Sequence, residues 1–337
     1  MTKSEARKNR KRRRKLFLAL IMILLLVATL GTATYAWFTA NRTVTVDTIN
    51  VNVSTSQGLQ ISTDATSWKS IVTNQDIIGA GWTGVTNQIP SGSNTMAPVS
   101  TIGETVSTTG FMNMYKGTIE SGTGGVNILT AEQSVESGGE NKDKGDFVVF
   151  DLFFQSSTRQ NVYLTSNSKV LATGTDKGIQ NAARVAFIDE GSVAFGAPAA
   201  DAQALKGATL KMIWEPNYDV HTASGAQNAN DVYHTPVNQT GASKLAYNGV
   251  KAPIAKAANI ALDSNDSQYF SAVTTVGSVA AGIPASTYIN AFEVQEGVTK
   301  IRIYMWIEGQ DVDCEDHASG SSLSYDLQFS IDSSSNG

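Results

Sequence analysis

The sequence predicts an all-β protein: an antiparallel β-sandwich of jelly-roll type with long loop insertions and an N-terminal hydrophobic segment. Gly, Ser, Thr and Asn make up about a third of its 337 residues, only 16% of which are charged, and this composition is typical of β-rich domains with long loops. Apolar and polar residues alternate at 43–46, 49–53, 301–307 and 323–331, as in strands with one buried face. The apolar run at 147–154 predicts a central strand covered on both faces.

The first forty residues combine a basic cluster with an apolar run. Nine Lys and Arg residues lie between Lys3 and Lys15, and the segment 16–30 is strongly apolar. This order is typical of a secretory signal peptide, with cleavage after Ala36. A retained membrane helix over 16–38, with the basic residues in the cytoplasm, is the alternative. In both cases we expect the chain to be extracellular or on the cell surface.

The remaining 37–337 is interpreted as a single β-sandwich domain. The net charge of −5 becomes −13 without residues 1–36, because that segment carries nine basic residues and one acidic residue. A protein with this net negative charge repels the phosphates of a nucleic acid, so we expect no nucleic-acid partner. Cys314 is the one cysteine, so no intrachain disulfide can form, and we expect it to be a small buried apolar side chain. Turn-rich segments at about 63–145 and 217–282 are interpreted as insertions of loops and short edge strands.

The predicted first strand combines two alternating stretches, 43–46 and 49–53. The alternation slips by one residue at Asp47 and Thr48, where a β-bulge would restore the facing of the apolar side chains. The short stretch 58–62 is predicted to be a neighbouring strand.

Further strands are predicted in the middle of the chain. After the central strand, 161–165 follows at hairpin distance, and 183–188 and 209–214 also have strand composition. The segment 197–206 is compatible with a short helix.

The C-terminal part has the clearest alternation. One face of the first strand carries Ile301, Ile303, Met305 and Ile307, and the other carries Arg302, Tyr304 and Trp306. The stretch 323–331 alternates in the same way. We expect these two strands, joined by a loop of about fifteen residues, to form an antiparallel pair with one face in the core.

Five carboxylates lie within the nine residues 308–316, at the end of a long predicted strand. Oxygen ligands at alternate positions near a glycine suit a hard cation, so Ca²⁺ is the metal to expect. The candidate ligands are Asp311, Asp313, Glu315 and Asp316. A solvated acidic turn, or side chains that cap backbone amides, is the alternative.

No catalytic motif is present, so we expect the protein not to be an enzyme. His221, His234 and His317 are interpreted as solvated loop residues, with a His/His/Asp zinc site as the alternative. A catalytic pair of Cys314 and His317 has no structural element that would enforce its geometry.

Two further groups of residues are candidates for binding. Asp143, Asp146 and Asp151 form a second acidic group beside the predicted central strand. A carbohydrate platform could be built from Trp68, Trp82, Trp214 and Trp306. Packing of these aromatic side chains against a sheet or under a loop is the alternative.

Residues 31–62 resemble the N-termini of the TasA/camelysin-type secreted proteins of Gram-positive bacteria. In those proteins the signal peptide ends near an aromatic-Phe pair, and a strand and then a Gly-Leu-x-Ile/Leu strand follow. Here 37–38 (Trp-Phe) and 58–61 (Gly-Leu-Gln-Ile) occupy these places. The segments 301–316 and 323–331 are similar to the C-terminal end of a group of uncharacterised clostridial exported proteins.

The resemblance implies a jelly-roll subunit of an extracellular fibre, in which the segment freed by cleavage inserts as a strand into the next subunit. The assembly strand would lie within 37–53 and use Val44, Val46, Ile49, Val51 and Val53. An ordinary first strand in its own sheet is the alternative.

We therefore expect a non-enzymatic structural protein that self-associates as a homopolymer in a cell-surface or biofilm-matrix fibre. One alternative is a membrane-anchored monomeric surface protein that binds glycan or another surface. A secreted metal-dependent hydrolase is another.

Overall fold

The computed structural model describes residues 44–54, 58–90, 96–231, 234, 237–240, 245–262, 264–279 and 282–334. The predicted signal or anchor at 1–36 and the predicted assembly residues 37–43 lie outside these ranges. All described residues belong to the same compact unit. Within them no helix combines the length and the apolar character needed to cross a bilayer.

Strands dominate the described residues, so the predicted all-β class is confirmed. The strands are β1 (Thr45–Val53), β2 (Gln60–Ser62), β3 (Ile71–Val72), β4 (Val99–Ser100), β5 (Thr105–Val106), β6 (Phe111–Met112), β7 (Met114–Ser121), β8 (Asn127–Ser134), β9 (Val148–Ser156), β10 (Gln160–Leu164), β11 (Lys169–Thr173), β12 (Ala183–Val193), β13 (Thr209–Glu215), β14 (Asn248–Val250), β15 (Ile260–Ala261), β16 (Phe270–Ala272), β17 (Val276–Gly277), β18 (Ile289–Val294), β19 (Gly297–Ile307) and β20 (Ser322–Ser330). The α-helices are α1 (Asn74–Gly79), α2 (Ala199–Gln203) and α3 (Ala223–Asp231), and short 3-10 turns lie between some of the strands. The short helix expected at 197–206 is therefore present as α2.

Two six-stranded sheets face each other in a sandwich-like arrangement. The front sheet has the order β18-β10-β20-β1-β3, with β11 also paired to β20, and the central sheet has the order β17-β13-β12-β19-β9-β2. Apolar side chains from both sheets form one continuous core between them. At its centre the rings of Phe154, Phe187, Phe292 and Phe329 pack with centroids 5.0–5.8 Å apart.

Strand β1 lies parallel to β20, so the front sheet is mixed rather than purely antiparallel as predicted. Its register shifts between Val46 and Thr48, which confirms the predicted β-bulge at Asp47. Because of the bulge, the apolar residues before and after it face the same side. An antiparallel partner, β3, pairs only with Val51 and Asn52.

Three predicted pairings are wrong. Strand β2 pairs with β9 in the central sheet, not with β1. Strand β10 lies in the front sheet, so it does not form a hairpin with β9. Strands β19 and β20 lie in opposite sheets and face each other across the core. Alternation identifies which face of a strand is buried, but a loop of fifteen residues is long enough to cross between sheets.

The two insertions contain more regular structure than predicted. Strands β4, β7 and β8 from the first insertion and β15 from the second form a four-stranded outer sheet. Side chains from the first insertion, including Val99, Met112 and Met114, pack on the second face of the central sheet. The predicted burial of the central strand on both faces is thereby confirmed, because β9 is buried along almost its whole length.

Candidate functional site

The acidic turn after β19 folds inward instead of facing solvent. Asp311, Asp313 and Glu315 are buried, and Asp316 is half-buried. The predicted ligands therefore do not form an open acidic surface, and each of the three buried carboxylates faces groups from other parts of the chain.

Arg184 on β12 neutralises part of this turn. Its guanidinium lies 2.5 Å from the Asp311 carboxylate and 2.9 Å from that of Glu215 on β13, and it stacks 5.3 Å from the ring centroid of Tyr247. Burial opposes the charge on Arg184, but Glu215 and Asp311 outweigh it and hold its pKa above the ordinary value. This cluster joins the central sheet, the acidic turn and the second insertion.

Asp313 holds the segment that precedes α3. Its carboxylate accepts hydrogen bonds from the Thr222 amide at 2.7 Å and the Thr222 hydroxyl at 3.0 Å, and it lies 2.9 Å from Nδ1 of His221. The same hydroxyl lies 3.0 Å from Glu315. His221 is buried, so its interpretation as a solvated loop residue is wrong, whereas His234 is exposed. The side chain of His317 lies outside the described part.

Among the described residues, no group of three or more His, Cys, Asp or Glu side chains is arranged to hold a metal ion. Calcium at this turn stays a prediction. An ion there would have to compete with Arg184 for Asp311 and with Thr222 for Asp313.

Burial also raises the proton affinity of two carboxylates in this turn, those of Glu308 and Asp311. Glu308, fully buried, accepts hydrogen bonds from the indole of Trp306 at 3.1 Å and the Gln310 amide at 3.0 Å. Burial nevertheless raises the pKa of Glu308 from 4.5 to about 7. Burial also raises the pKa of Asp311, against the effect of Arg184.

The predicted second acidic group does not assemble. Asp146 pairs with Lys116 at 2.7 Å and accepts from the Ser134 hydroxyl at 2.6 Å. Asp143 lines a separate small cavity. Asp151 alone points to the outer face of β9, where it pairs with Arg302 at 2.8 Å.

The four tryptophans do not form a shared platform. Trp214 and Trp306 are fully buried. Trp68 and Trp82 are partly buried beside Phe153, and the rings of Trp82 and Phe153 meet edge to face at 5.6 Å. The alternative, packing against a sheet or under a loop, is therefore confirmed for these residues. Cys314 is buried in the main core, as expected.

The outer face of the central sheet carries a second buried network. Arg302 bonds Asp151 and Glu136, and the Tyr304 hydroxyl donates to Glu136. Burial raises the pKa of Glu136 even beside Arg302. Lys300 lies 3.4 Å from Asp151 and donates to two backbone carbonyls.

Glu190 on β12 lies at the edge of this network. Its carboxylate accepts a hydrogen bond from the Ala208 amide at 3.2 Å, and burial raises its pKa to about 7. Sequence reasoning missed both Glu190 and Glu136. The signal in the sequence is the alternating polar face of β19, because its buried Arg302 requires acidic partners.

Comparison with protein-family models, with curated proteins and with solved structures finds no match to this chain.

Proposed function

We propose that this protein is a non-enzymatic extracellular structural subunit that self-associates through β1, as its resemblance to the TasA/camelysin-type proteins implies. The observation that carries the proposal is the parallel alignment of β1 with β20. The five predicted assembly residues, four on β1 and Val44 just before it, contribute to the core: Val44, Ile49, Val51 and Val53 are buried, and Val46 packs against them.

Most of the pairing of β1 is made with β20, far away in the chain, for example Asn50 with Asp326, and only Val51 and Asn52 also pair with the nearer β3. The next strand, β2, belongs to the opposite sheet. A copy of β1 from another subunit could therefore make the same backbone hydrogen bonds and fill the same groove, which is the physical basis of strand exchange. Repetition of this step from subunit to subunit gives a filament.

The proposal includes three finer statements. The sandwich has jelly-roll topology, the chain is exported, and the assembly is a homopolymer at the cell surface or in a biofilm matrix. The N-terminal residue of the exported protein separates this proposal from the anchored monomer, since release predicts a start at Trp37 and anchoring predicts an intact N-terminus.

A disulfide trap tests the exchange directly. The side chains of Asn50 and Asp326 are register partners, and the Asn50 amide donates to the Asp326 carboxylate at 3.0 Å. We would replace both by cysteine in a Cys314→Ala background, allow assembly and then oxidise. Exchange predicts a covalent ladder of multimers on a denaturing gel, because each new bond joins two subunits.

The matched control is a cysteine pair at Thr118 and Thr130, which are register partners within the β7–β8 hairpin. This pair should link only within one chain. If the Asn50/Asp326 pair also gives only internally linked monomers, and electron microscopy of the mature chain shows no filaments, β1 is an ordinary strand and the proposal fails.

A further inference from the structure

A cavity of about 120 Å³ opens on the outer face of the central sheet. Its floor comes from three neighbouring strands, β9, β12 and β19, which supply Asp151, Glu190, Lys300 and Arg302. All four are at most 6% exposed. The rim includes exposed residues of surrounding loops, among them Lys206, so the cavity is a polar pit with a buried floor.

Two polar atoms of the floor residues have no hydrogen-bond partner among the described residues. These atoms are Oε1 of Glu190 and Nε of Arg302. The other carboxylate oxygen of Glu190 bonds Ala208, and the terminal nitrogens of Arg302 bond Asp151, Glu136 and Thr86. A buried polar group without a partner destabilises the folded protein, and a bound ligand that supplies the partner removes this penalty. Both atoms belong to residues that line the cavity, so its floor residues carry one unused acceptor and one unused donor.

The charges of the pit select the kind of ligand. Arg302 and Lys300 are neutralised by Asp151 and Glu136. This leaves Glu190 in the floor and Lys206 at the rim, with opposite charges. A cation would meet the arginine and the lysines, and an anion would meet Asp151 and Glu190. A neutral hydroxyl can both donate to a carboxylate oxygen and accept from a guanidinium N–H.

The size of the pit also favours a small ligand with hydroxyl groups. Its volume holds about four water molecules at ~30 Å³ each, which matches a small polyol or the part of a sugar ring that enters the open pit. Phe111 contributes an aromatic ring to the wall, and apolar C–H groups of a sugar pack on such a surface.

We propose that this cavity binds a neutral polyhydroxyl ligand about the size of one sugar residue, with hydroxyls bonded to Glu190 and Arg302. The ligand is a free sugar or the terminal residue of a glycan. No residue of β1 lines this cavity. The binding proposal can therefore fail without affecting the proposed strand exchange, and the reverse also holds.

Heteronuclear NMR titration of the full mature chain tests the site. The probes are glucose, N-acetylglucosamine and glycerol, with cellobiose and chitobiose to distinguish a free sugar from a glycan end, and with acetate and methylammonium as charged probes. We expect saturable shifts of the amides of Thr109, Phe111 and Glu190 with at least one neutral probe. Glu190→Gln should weaken that binding about tenfold, the equivalent of one hydrogen bond to a charged group.

Two further variants locate the binding. Glu132→Gln alters an exposed carboxylate on β8 and should leave the affinity unchanged. Lys206→Trp places a large side chain at the exposed rim, leaves the buried floor intact and should abolish binding, which keeps the test decisive even if Glu190→Gln fails to fold. Three outcomes overturn the proposal: no saturable shift with any neutral probe, binding of the charged probes alone, or sugar binding that survives Lys206→Trp.

Discussion

The two faces of β19 are equally buried but are held in different ways. The inner face carries Ile301, Ile303, Met305 and Ile307, which pack in the core shared with the front sheet. The outer face carries Lys300, Arg302, Tyr304, Trp306 and then Glu308, none more than 6% exposed. Apolar contacts stabilise the first face, and ion pairs and hydrogen bonds satisfy the second.

The difference teaches where specificity comes from. An apolar face needs partners of suitable volume, which many neighbouring strands supply. A buried charge needs particular partners, since its desolvation is costly unless it is paired. Arg302 finds Glu136 and Thr86 in the first insertion, and Arg184 stacks on Tyr247 in the second. The insertions are therefore part of the folded structure of the central sheet.

The largest effect is expected from Arg302→Met. The change leaves Glu136 and Asp151 without their shared guanidinium in a buried site, and should lower the free energy of unfolding by about 5 kcal/mol. Urea denaturation followed by tryptophan fluorescence measures it.

The double variant Arg302→Met/Glu136→Gln is the control for charge. It removes one stranded carboxylate together with the arginine, so it should be more stable than Arg302→Met alone. Equal or greater destabilisation of the double variant would mean that the outer face depends on packing rather than on charge pairing.

The inner face should respond next most strongly, to Phe329→Ala. The Phe329 ring contacts those of Phe154, Phe187 and Phe292, so its loss opens a cavity at the core centre and should cost about 4 kcal/mol. Phe195→Ala, at a side chain that is 48% exposed, is the matched control and should change stability by less than about 1 kcal/mol. Similar losses in both variants would contradict the assignment of the core.

The inner face was largely predictable from the sequence. Alternation placed Ile301, Ile303 and their neighbours in the core, and the phase slip located the bulge at Asp47. Pairing was not predictable, because β19 and β20 alternate in the same way whether they lie side by side or in facing sheets. Backbone hydrogen bonds do not depend on residue type, so the strand that pairs with a given strand is known only from the three-dimensional structure.

The polar site was predictable only in part. The acidic turn was found as a cluster of carboxylates, but nothing local indicated that Arg184, more than one hundred residues earlier, would reach Asp311. Glu136 and Glu190 stand in stretches without a recognisable motif. Their roles depend on long-range contacts that residue spacing does not encode.

The pH dependence of stability reports on the polar outer face, because its buried carboxylates titrate and the apolar inner face does not. Burial raises the pKa of Glu190 and Glu308 from 4.5 to about 7, so the folded protein binds these protons more tightly than the unfolded chain. The free energy of unfolding should therefore be highest at the acidic end of this window and fall as the pH rises from about 4.5 to about 7. The loss is at most about 3 kcal/mol per group.

Urea denaturation at pH 5 and pH 8, buffer values that lie roughly at the two ends of this window, measures the slope. Glu308→Gln and Glu190→Gln should each flatten it, because an amide does not titrate, whereas Glu132→Gln on the exposed face of β8 should leave it unchanged. A slope of opposite sign in the wild type would show that the outer network stabilises the charged carboxylates.

The smallest effect should follow deletion of Asp47, which tests how the inner face keeps its phase on β1. Val46 and Thr48 pair with consecutive residues of β20, and Asp47 is the extra residue of the bulge. Its deletion joins two stretches that are already in register and should cost less than about 1 kcal/mol. Deletion of Asn50, only three residues further on, lies outside the bulge and would turn either Ile49 or Val51 out of the core. Stability measurements on the two deletions should therefore differ by several-fold, and equal losses would mean that the bulge does not set the facing of the strand.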